Sequence, residues 1–374
     1  MRTNNILGIL FANVHDDLVP ELTRLRSMAS LPIAGRYRMV DFSLSNLVNA
    51  GISQVGIITK QNYQSLMDHV QSGKSWDLDR KSGGLFILPP FSTMDSKGEI
   101  FKGHLDALKS IMGYLQRAQQ DYVVFCDCDV VSNVDIMDMY RRHVDSGADF
   151  TVAYKRGRLP KNHEDIMTFA FDENNFVKEI SLPKNSENAN YSLDITIVKR
   201  EFLIELLNKV PADYTSISRH LLARHTKEFK IYGYEVTGFA EVVDSTKTYF
   251  DLNMKMLNSK NKKSLFNPDR PVYTKTHDGM PTRYGIKSEV KNSLIADGCV
   301  IEGKVENCVV FRNVKVEEGA TVKDSILMQG AVIEKDAVLE RVIMDKQSRI
   351  LNGAQLTAKQ NKILFVGKRE KVEK

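Results

Sequence analysis

Cysteines and histidines are the residues of this chain whose chemistry could serve a metal centre or a catalytic group. Cys126 and Cys128 flank Asp127, and a C-x-C pair can give zinc two thiolate ligands. No histidine or further cysteine lies at ligand spacing nearby, and Cys299 and Cys308 occupy repeat positions that take small apolar residues. We therefore expect four reduced thiols in the protein core.

Three histidines, His15, His104 and His143, could act as acid–base groups or as metal ligands, because histidine titrates near neutral pH and binds metals through its ring nitrogens. Each is isolated in the sequence from other ligand types at metal spacing. The sequence therefore favours histidines in polar loops or on the surface.

The composition is that of a soluble globular protein, with 42% hydrophobic residues, 26% charged residues and a net charge of +5. Acids and bases are interleaved, and glutamates interrupt the basic tail 367–374, which argues against nucleic-acid binding. The apolar run 6–12 is too short to cross a membrane, and no small-residue cleavage site follows it. We expect a cytoplasmic protein with neither a nucleic-acid nor a membrane partner.

Two sequence patterns divide the chain. Up to about residue 250, short β-branched runs alternate with longer amphipathic stretches, which is typical of an α/β sheet covered on both faces. From about Val290, a unit of Gly or Asp, a small residue, a variable residue and Val, Ile or Leu recurs, as in GCVI at 298–301 and GAVI at 330–333. This hexapeptide signature predicts a parallel β-helix, in which each strand ends at a tight corner.

These patterns predict an α/β domain over residues 1–257, a linker over 258–287 and a β-helix over 288–374. Residues 249–257 form the last predicted helix of the first domain, and the polar residues that follow it begin the linker. Proline keeps the rest of the linker extended, at Pro268, Pro271 and Pro281.

Several segments resemble the bacterial ADP-glucose pyrophosphorylases, also called glucose-1-phosphate adenylyltransferases. LPIAGRYRMVDFSLSN at 31–46 resembles the family's P-F-G-G-x-Y-R-x-I-D-F-x-L-S-N segment, and GHLDA at 103–107 resembles its G-T-A-D-A turn. Asp129 with Asp135 resembles the aspartate pair that follows a central strand in the family. The resemblance covers nearly the whole chain. It implies a Rossmann-like nucleotidyltransferase domain followed by a left-handed parallel β-helix.

Enzymes of this family join glucose-1-phosphate to ATP and release pyrophosphate, and their phosphate loop reads G-G-x-G-[ST]-R. The glycines let backbone N–H groups approach the phosphates, and the arginine stabilises the departing pyrophosphate. In this chain the loop aligns with Asn13, Val14, His15, Asp16, Asp17 and Leu18. All three glycines are replaced, leucine takes the arginine position, and two aspartates would repel a triphosphate.

The family binds magnesium with one aspartate after the central strand and a second in a W-x-D-x-G-T segment. Asp129 matches the first ligand, but Val242 stands at the second, so the resemblance implies no metal site here. A register shift that brings in Glu241 or Asp244 is the alternative.

The sugar-phosphate positions are altered as well. The lysine of the family's E-K-P segment has no match, because Lys184 lies on the other side of the proline, and Asp194 replaces a strand glycine. The family's R-A-K-P-A lysine, which responds to effectors, aligns with Met28. A vestigial nucleotide and sugar pocket is therefore expected at Gly103, Asp106, Asp129 and Ser192.

The motifs that build the scaffold survive, whereas those that carry the chemistry do not. This pattern resembles the regulatory branch of the family, the GlgD type. The resemblance implies a largely inactive subunit in a heterotetramer with a catalytic ADP-glucose pyrophosphorylase subunit. It implies no cofactor of its own, magnesium only for the catalytic partner, and a sugar-phosphate effector.

Three other functions stay open at this point. An active pyrophosphorylase would need a cation to replace the missing arginine, and Arg24 and Arg26 are the nearest candidates in the sequence. A stand-alone sensor of sugar phosphates would need no partner enzyme. A hexapeptide acyltransferase is disfavoured because residues 288–374 contain no histidine to act as its base.

Overall fold

The computed structural model describes residues 5–89, 101–163, 166–183, 186–211, 213–359 and 362–373. A nine-stranded mixed sheet lies at the centre of the N-terminal part. Its first strand, Ile6–Phe11, is parallel to both of its neighbours, Gln54–Ile58 and Tyr122–Asp127. These strands are nearly continuous apolar runs, because packed elements bury both faces of the sheet.

The other strands of this sheet flank the three central ones. Gly84–Leu88 pairs with Gln54–Ile58 at one edge. Beyond Tyr122–Asp127 lie Ala189–Lys199, Thr168–Phe171, Val177–Ser181, Phe150–Gly157 and Ile231–Glu235. Two small antiparallel sheets join Val130–Ser132 to Ala240–Val242 and Pro32–Ile33 to Tyr37–Arg38.

Helices fill the intervals between the strands. The α-helices are Pro20–Thr23, Met39–Asn49, Gln64–Val70, His104–Ser110, Met112–Arg117, Ile136–Ser146, Arg200–Lys209, Thr246–Lys255 and Ser259–Leu265. Shorter helical turns are Asp16–Leu18, Met28–Ser30, Lys74–Trp76 and the π-helix Ile217–Leu222. In the described part of the chain, no helix has the length and apolar character that crossing a membrane requires.

The segment predicted as a linker contains the helix Ser259–Leu265, which corrects that prediction. The Asn258 side chain caps this helix by accepting hydrogen bonds from the N–H groups of Lys260 and Asn261. Leu265 is fully buried. A cap and one buried anchor thus hold a helix whose other residues are polar.

The C-terminal part is a three-sided parallel β-helix, as the repeat predicts, and it begins before residue 288 because Arg283–Tyr284 already pairs with Val300–Ile301. The first sheet contains Arg283–Tyr284, Val300–Ile301, Lys315–Val316, Val332–Ile333, Arg349–Ile350 and Lys371–Val372. The second contains Glu289–Lys291, Lys304–Glu306, Thr321–Lys323, Val338–Glu340 and Gln355–Thr357. The third contains Leu294–Ile295, Val309–Val310, Ile326–Leu327, Val342–Met344 and Leu364–Val366.

All four cysteines are buried and reduced, which confirms the prediction made from their spacing. Cys299 and Cys308 lie inside the β-helix, where their side chains pack with its apolar core. Burial raises the pKa of the Cys308 thiol to about 12. These thiols therefore behave as small apolar side chains.

The third sheet of the β-helix packs against the N-terminal part. Val309–Val310, Ile326–Leu327 and Val342–Met344 are buried at every residue, whereas strands of the second sheet alternate between exposed and buried residues. The outward side chains of the third sheet join a core with Phe42 and Tyr249 of the N-terminal part. The two parts therefore share one hydrophobic junction.

A buried ion pair crosses this junction. Arg26 Nη2 lies 2.8 and 2.7 Å from the two carboxylate oxygens of Asp345, and Arg26 Nη1 donates to Met328 Sδ at 3.7 Å. The side chains of Arg26 and Asp345 are only 3% and 5% exposed. Each charge therefore depends on the other for its stability inside the protein.

Replacing Arg26 with Met should lower the free energy of unfolding by about 3–5 kcal/mol, because Asp345 would remain as a buried, unpaired charge. The double variant Arg26→Met with Asp345→Leu should lose less than this single variant. Chemical denaturation measures both effects. Arg80→Ala is the matched control, because its ion pair with Asp77 is exposed and should contribute roughly 0–1 kcal/mol. Equal losses for Arg26→Met and Arg80→Ala would contradict the prediction.

Candidate functional site

The residues that the sequence singles out meet at one edge of the main sheet, where Ile6–Phe11 and Tyr122–Asp127 end. Because these strands are parallel, the loops that follow them leave the sheet side by side. In open α/β sheets this carboxyl edge is where ligands bind. The loop at residues 13–18 and Asp129 both lie just beyond these strand ends.

Asn13, the first residue of the degenerate phosphate loop, ties that loop to the neighbouring strand. Its side-chain oxygen accepts a hydrogen bond from the Lys60 N–H at 2.8 Å, and its amide donates to the Gln61 carbonyl at 2.9 Å. A glycine could make neither bond. The first replaced glycine has therefore become a structural cross-link.

The rest of the loop folds onto itself. The N–H groups of Leu18 and Val19 donate to the carbonyls of His15 and Asp16, at 3.2 and 3.3 Å, so they are already used within the turn. Asp16 accepts a hydrogen bond from the Met28 N–H at 2.7 Å, and burial raises its pKa to about 7 although this bond opposes the rise. Asp17 is exposed, Val14 packs against the core beneath the sheet, and neither offers a phosphate cradle.

Three histidines converge at this edge, which contradicts the prediction that His15 and His104 are isolated. His104 Nε2 lies 2.5 Å from Asp127 Oδ2, and His15 Nε2 lies 3.2 Å from the same oxygen. The His15 ring packs against both other imidazoles, with centroid distances of 5.4 Å to His104 and 4.4 Å to His163. Separation along the sequence was misleading because the sheet brings the loops of distant strands together.

His143 was also expected in a loop or on the surface, and that prediction is wrong. It lies in the helix Ile136–Ser146, is buried, and its Nδ1 is 2.8 Å from Thr151 Oγ1. Burial lowers its pKa to about 4, so it is a neutral core residue.

His163 is a site residue that the sequence analysis missed. Its Nε2 lies 3.3 Å from Asp129 Oδ2 and 3.8 Å from Asp194 Oδ2. The motif comparison gave no signal for it, because the family's motifs contain no histidine there. Its position after the strand Phe150–Gly157 was the one available indication.

Asp194 stands in a bulge of the long strand Ala189–Lys199, where the pairing register shifts between Ser192 and Thr196. Its φ of 49° lies in the left-handed region, which glycine adopts freely and aspartate tolerates better than most residues. The Ser192 hydroxyl donates to Asp194 Oδ1 at 3.0 Å. The serine expected to contact sugar is therefore bonded to the residue that replaced the strand glycine.

The pKa of each of these groups depends on the charges of its neighbours in the site. Burial lowers the pKa of His15, but the carboxylates of Asp127, Asp129 and Asp194 outweigh it and raise that pKa to about 10. Burial opposes ionisation of Asp127, yet His15 and His104 hold its pKa well below the usual range. Burial raises the pKa of Asp194, although His163 opposes the rise. Imidazole and carboxylate charges thus neutralise each other across the edge.

The residues around Asp129 do not form the family's magnesium site. Val242 is buried and pairs with Val130, so it supplies no oxygen. Glu241 instead binds Lys255 at 2.6 Å on the outer side. Besides Asp194, the neighbours of Asp129 are the imidazoles of His15 and His163, and magnesium does not favour nitrogen ligands.

The other alternative ligand, Asp244, is also committed elsewhere. It accepts hydrogen bonds from the Asn162 N–H at 2.9 Å and from the Thr248 hydroxyl at 2.9 Å. The register shift considered for this segment therefore supplies no second magnesium ligand.

The turn at residues 103–107 keeps its shape for a steric reason. A Cβ at Gly103 would lie 2.5 Å from the Thr215 carbonyl oxygen, which accepts a hydrogen bond from the Leu105 N–H. Asp106 accepts a bond from the Lys102 N–H at 3.3 Å, within its own turn. Lys184, discussed with the sugar-phosphate site, lies outside the described residues.

Neither arginine considered as a substitute for the lost one is available at this edge. Arg26 is bound to Asp345 across the junction. Arg24 is exposed and lines a groove with Phe365 and Lys368 of the β-helix.

A second concave surface, the junction pocket, lies between the two parts of the chain. Its cationic lining consists of Arg36, Arg38, Lys275, Arg312 and Lys346. Burial, together with the positive charges of Arg38 and Arg26, lowers the pKa of Lys346 to about 7. Met28, at the family's effector-lysine position, is buried in the junction core and adds no charge.

Comparison with known proteins agrees with this architecture. The nucleotidyl transferase family model matches residues 18–164, and the model of the GlmU-like C-terminal hexapeptide matches residues 280–362. The chain is therefore a nucleotidyltransferase-type α/β protein with a hexapeptide β-helix.

Relatives that match most of the chain identify its family more specifically. The glycogen biosynthesis protein GlgD of Bacillus subtilis (strain 168) is 34% identical over 98% of this chain and 97% of its own length. GlgD of Geobacillus stearothermophilus is 36% identical over 85% of this chain and 83% of its own length. The glucose-1-phosphate adenylyltransferase of Fervidobacterium nodosum is 28% identical over 94% of this chain and 85% of its own. The chain belongs to the bacterial glucose-1-phosphate adenylyltransferase family, in its GlgD-type branch.

Proposed function

We propose that this protein takes part in glycogen biosynthesis as a regulatory, largely inactive subunit of ADP-glucose pyrophosphorylase. The observation that carries the proposal is the state of the phosphate loop. The side chains of Asn13 and Asp16 are bonded within the protein, the N–H groups of Leu18 and Val19 are used within the turn, and leucine stands at the position of the catalytic arginine. A triphosphate would find there neither the glycine backbone nor the arginine of the family's loop.

The loss of catalytic rate can be estimated from the groups that are missing. Removing one transition-state donor costs about 3–4 kcal/mol, or about 10²–10³ in rate. A missing metal ligand adds to this loss, although such losses are not strictly additive. Activity of the chain by itself is therefore at most residual, and magnesium serves the catalytic partner.

The purified chain should synthesise ADP-glucose at a rate at least about 10³ below that of a catalytic relative. Pyrophosphate release with ATP, glucose-1-phosphate and magnesium measures this, with the Fervidobacterium nodosum enzyme as the parallel control. Leu18→Arg should not restore the rate, because the loop would still lack its glycines and Val242 would still stand at the position of the family's second metal ligand. Turnover of a few per second by the unaltered chain would be an ordinary enzyme rate and would refute the proposal.

The junction pocket supports the proposed sugar-phosphate effector. Buried cations that lower each other's pKa gain stability when an anion binds between them. Residues from both parts of the chain line the pocket, so an anion bound there would affect how the two parts pack against each other. Arg312 and Lys346 come from the β-helix, whereas Arg36 and Arg38 come from the N-terminal part.

Sulfate, which stays fully ionised near neutral pH, is a suitable probe of this pocket. It should bind more weakly as the pH rises above about 7, because Lys346 loses its proton there in the free protein and an anion must restore it. Calorimetry from about pH 6 to about pH 8, roughly one unit on either side of that pKa, measures the effect. Lys346→Gln should weaken binding and flatten the pH dependence, whereas Lys74→Gln, remote from the pocket, should change neither. An unchanged profile in Lys346→Gln would contradict the assignment.

A chain without chemistry of its own can alter a reaction only through contact with an active subunit. The β-helix offers a surface for this contact at its first coil. Tyr284, Ile286 and Val290 are exposed there, and Ile286 is completely so. Exposed apolar residues grouped in this way are typical of protein–protein interfaces.

Mixing the chain with a catalytic relative from the same organism should give a complex that survives gel filtration, because stable interfaces bury about 1,200–2,000 Å². The effector response of the catalytic subunit should change several-fold, a coupling of about 1–3 kcal/mol. Ile286→Asp should weaken the complex and the change in response together. Met67→Asp, an exposed apolar residue on a helix of the N-terminal part, is the matched control.

A point variant is preferable to deletion of residues 288–374, because removing the β-helix would expose the junction core around Phe42 and Tyr249. If the intact chain neither bound nor affected any catalytic relative, the regulatory proposal would fail. A stand-alone sensor of sugar phosphates would then be the better hypothesis.

A further inference from the structure

Four side chains at the carboxyl edge of the main sheet bring ligand atoms together from four separate segments. They are His15, Asp129, His163 and Asp194, and one nitrogen or oxygen of each lies within 4.8 Å of the corresponding atoms of the others. We call these four residues the histidine–aspartate cluster. It offers two imidazole nitrogens and two carboxylate oxygens.

The cluster has buried polar atoms without hydrogen-bond partners. Both carboxylate oxygens of Asp129 are unpaired, and the residue is 0% exposed. His163 Nε2 is 3.3 Å from Asp129 Oδ2, but the two are not aligned as a hydrogen bond, and Nε2 of both His163 and His15 has no hydrogen-bond partner. A buried carboxylate without hydrogen bonds is costly unless a cation neutralises it.

We propose that the histidine–aspartate cluster binds a divalent transition-metal ion of the zinc class. Two imidazoles and two carboxylates suit zinc and its neighbours, whereas magnesium prefers an all-oxygen shell. Ligands about 2.0–2.1 Å from a tetrahedral zinc ion lie roughly 3.3 Å apart, so the present spacing needs to contract only modestly.

Asp127 and His104 form the surroundings of this site and are not ligands in it. Asp127 Oδ2 already has a hydrogen-bond partner in His104 Nε2, at 2.5 Å. It also lies 3.2 Å from His15 Nε2. Asp127 thereby adds negative charge beside the cluster, which favours a bound cation.

A cation fits this place better than an anion does. A phosphate or sulfate would face the unpaired oxygens of Asp129 at the bottom of the cluster and be repelled by them. The ion can enter from the side of His15 and Asp194, whose side chains are 14% and 13% exposed. Once bound, it would hold the loop at residues 13–18 against the end of the sheet.

This site is independent of the proposed regulatory role, because it concerns the chain alone. It also replaces the sequence-based expectation that the chain has no metal of its own. That expectation treated His15 as isolated from other metal ligands, whereas the fold places it beside His163 and two carboxylates.

Calorimetry on protein stripped with a chelator tests the proposal. Zinc should bind with one ion per chain at a Kd in the micromolar range or below, and magnesium should give no signal at millimolar concentration. Cobalt(II) should produce the visible absorption bands of a tetrahedral site. His163→Gln and Asp129→Asn should each weaken zinc binding by about tenfold or more. His225→Gln should not, because His225 is a partly exposed histidine outside the cluster.

The variants must fold for this comparison to count, and circular dichroism with melting of the metal-free proteins provides that control. In the wild type, zinc should raise the melting temperature, and in His163→Gln it should not. Two results would overturn the proposal: absence of zinc binding by the wild type, or zinc binding that His163→Gln and Asp129→Asn leave unchanged. The second would mean attachment to surface histidines.

Discussion

The junction between the α/β part and the third face of the β-helix constrains the rest of this molecule. Apolar residues from both parts share one core there, and within it the carboxylate of Asp345 neutralises the charge of Arg26. The stretch from residue 13 to Arg38 contains the degenerate loop, Arg26 and one wall of the junction pocket. These features are therefore linked covalently over a short distance. Residues of the segment at 31–46 belong to this core, so the packing requires that segment whether or not the protein is catalytically active.

The carboxyl edge of the main sheet shows what happens when that constraint does not apply. Glycines of a phosphate loop are useful only while a phosphate must approach the backbone. Without that ligand, Asn13 joins its loop to Lys60 and Gln61, which follow the neighbouring strand, and Asp16 accepts a hydrogen bond from the Met28 N–H. Side chains have taken over hydrogen bonds that a nucleotide would otherwise make, so the altered loop is ordered by its own contacts.

Sequence patterns were sufficient for the architecture, because the hexapeptide repeat and the apolar strand runs are local signals with a fixed period. They were insufficient for the site. The partnership of His15, His104 and His163 depends on which strands are neighbours in the sheet, and no local pattern contains that information. The helix Ser259–Leu265 escaped notice for a different reason, since its single buried anchor, Leu265, leaves no amphipathic period.

The first coil of the β-helix has a further consequence for how copies can associate. Among the described residues, Arg283–Tyr284, Glu289–Lys291 and Leu294–Ile295 each pair on one side only, so their outer backbone groups could accept another strand. A stack of coils joined end to end through such edges would grow without limit into a fibre. Charged residues at Arg283, Glu289 and Lys291 oppose that growth. We therefore expect a contact at this end to join two chains only. Such a contact limits assembly to particles of finite size.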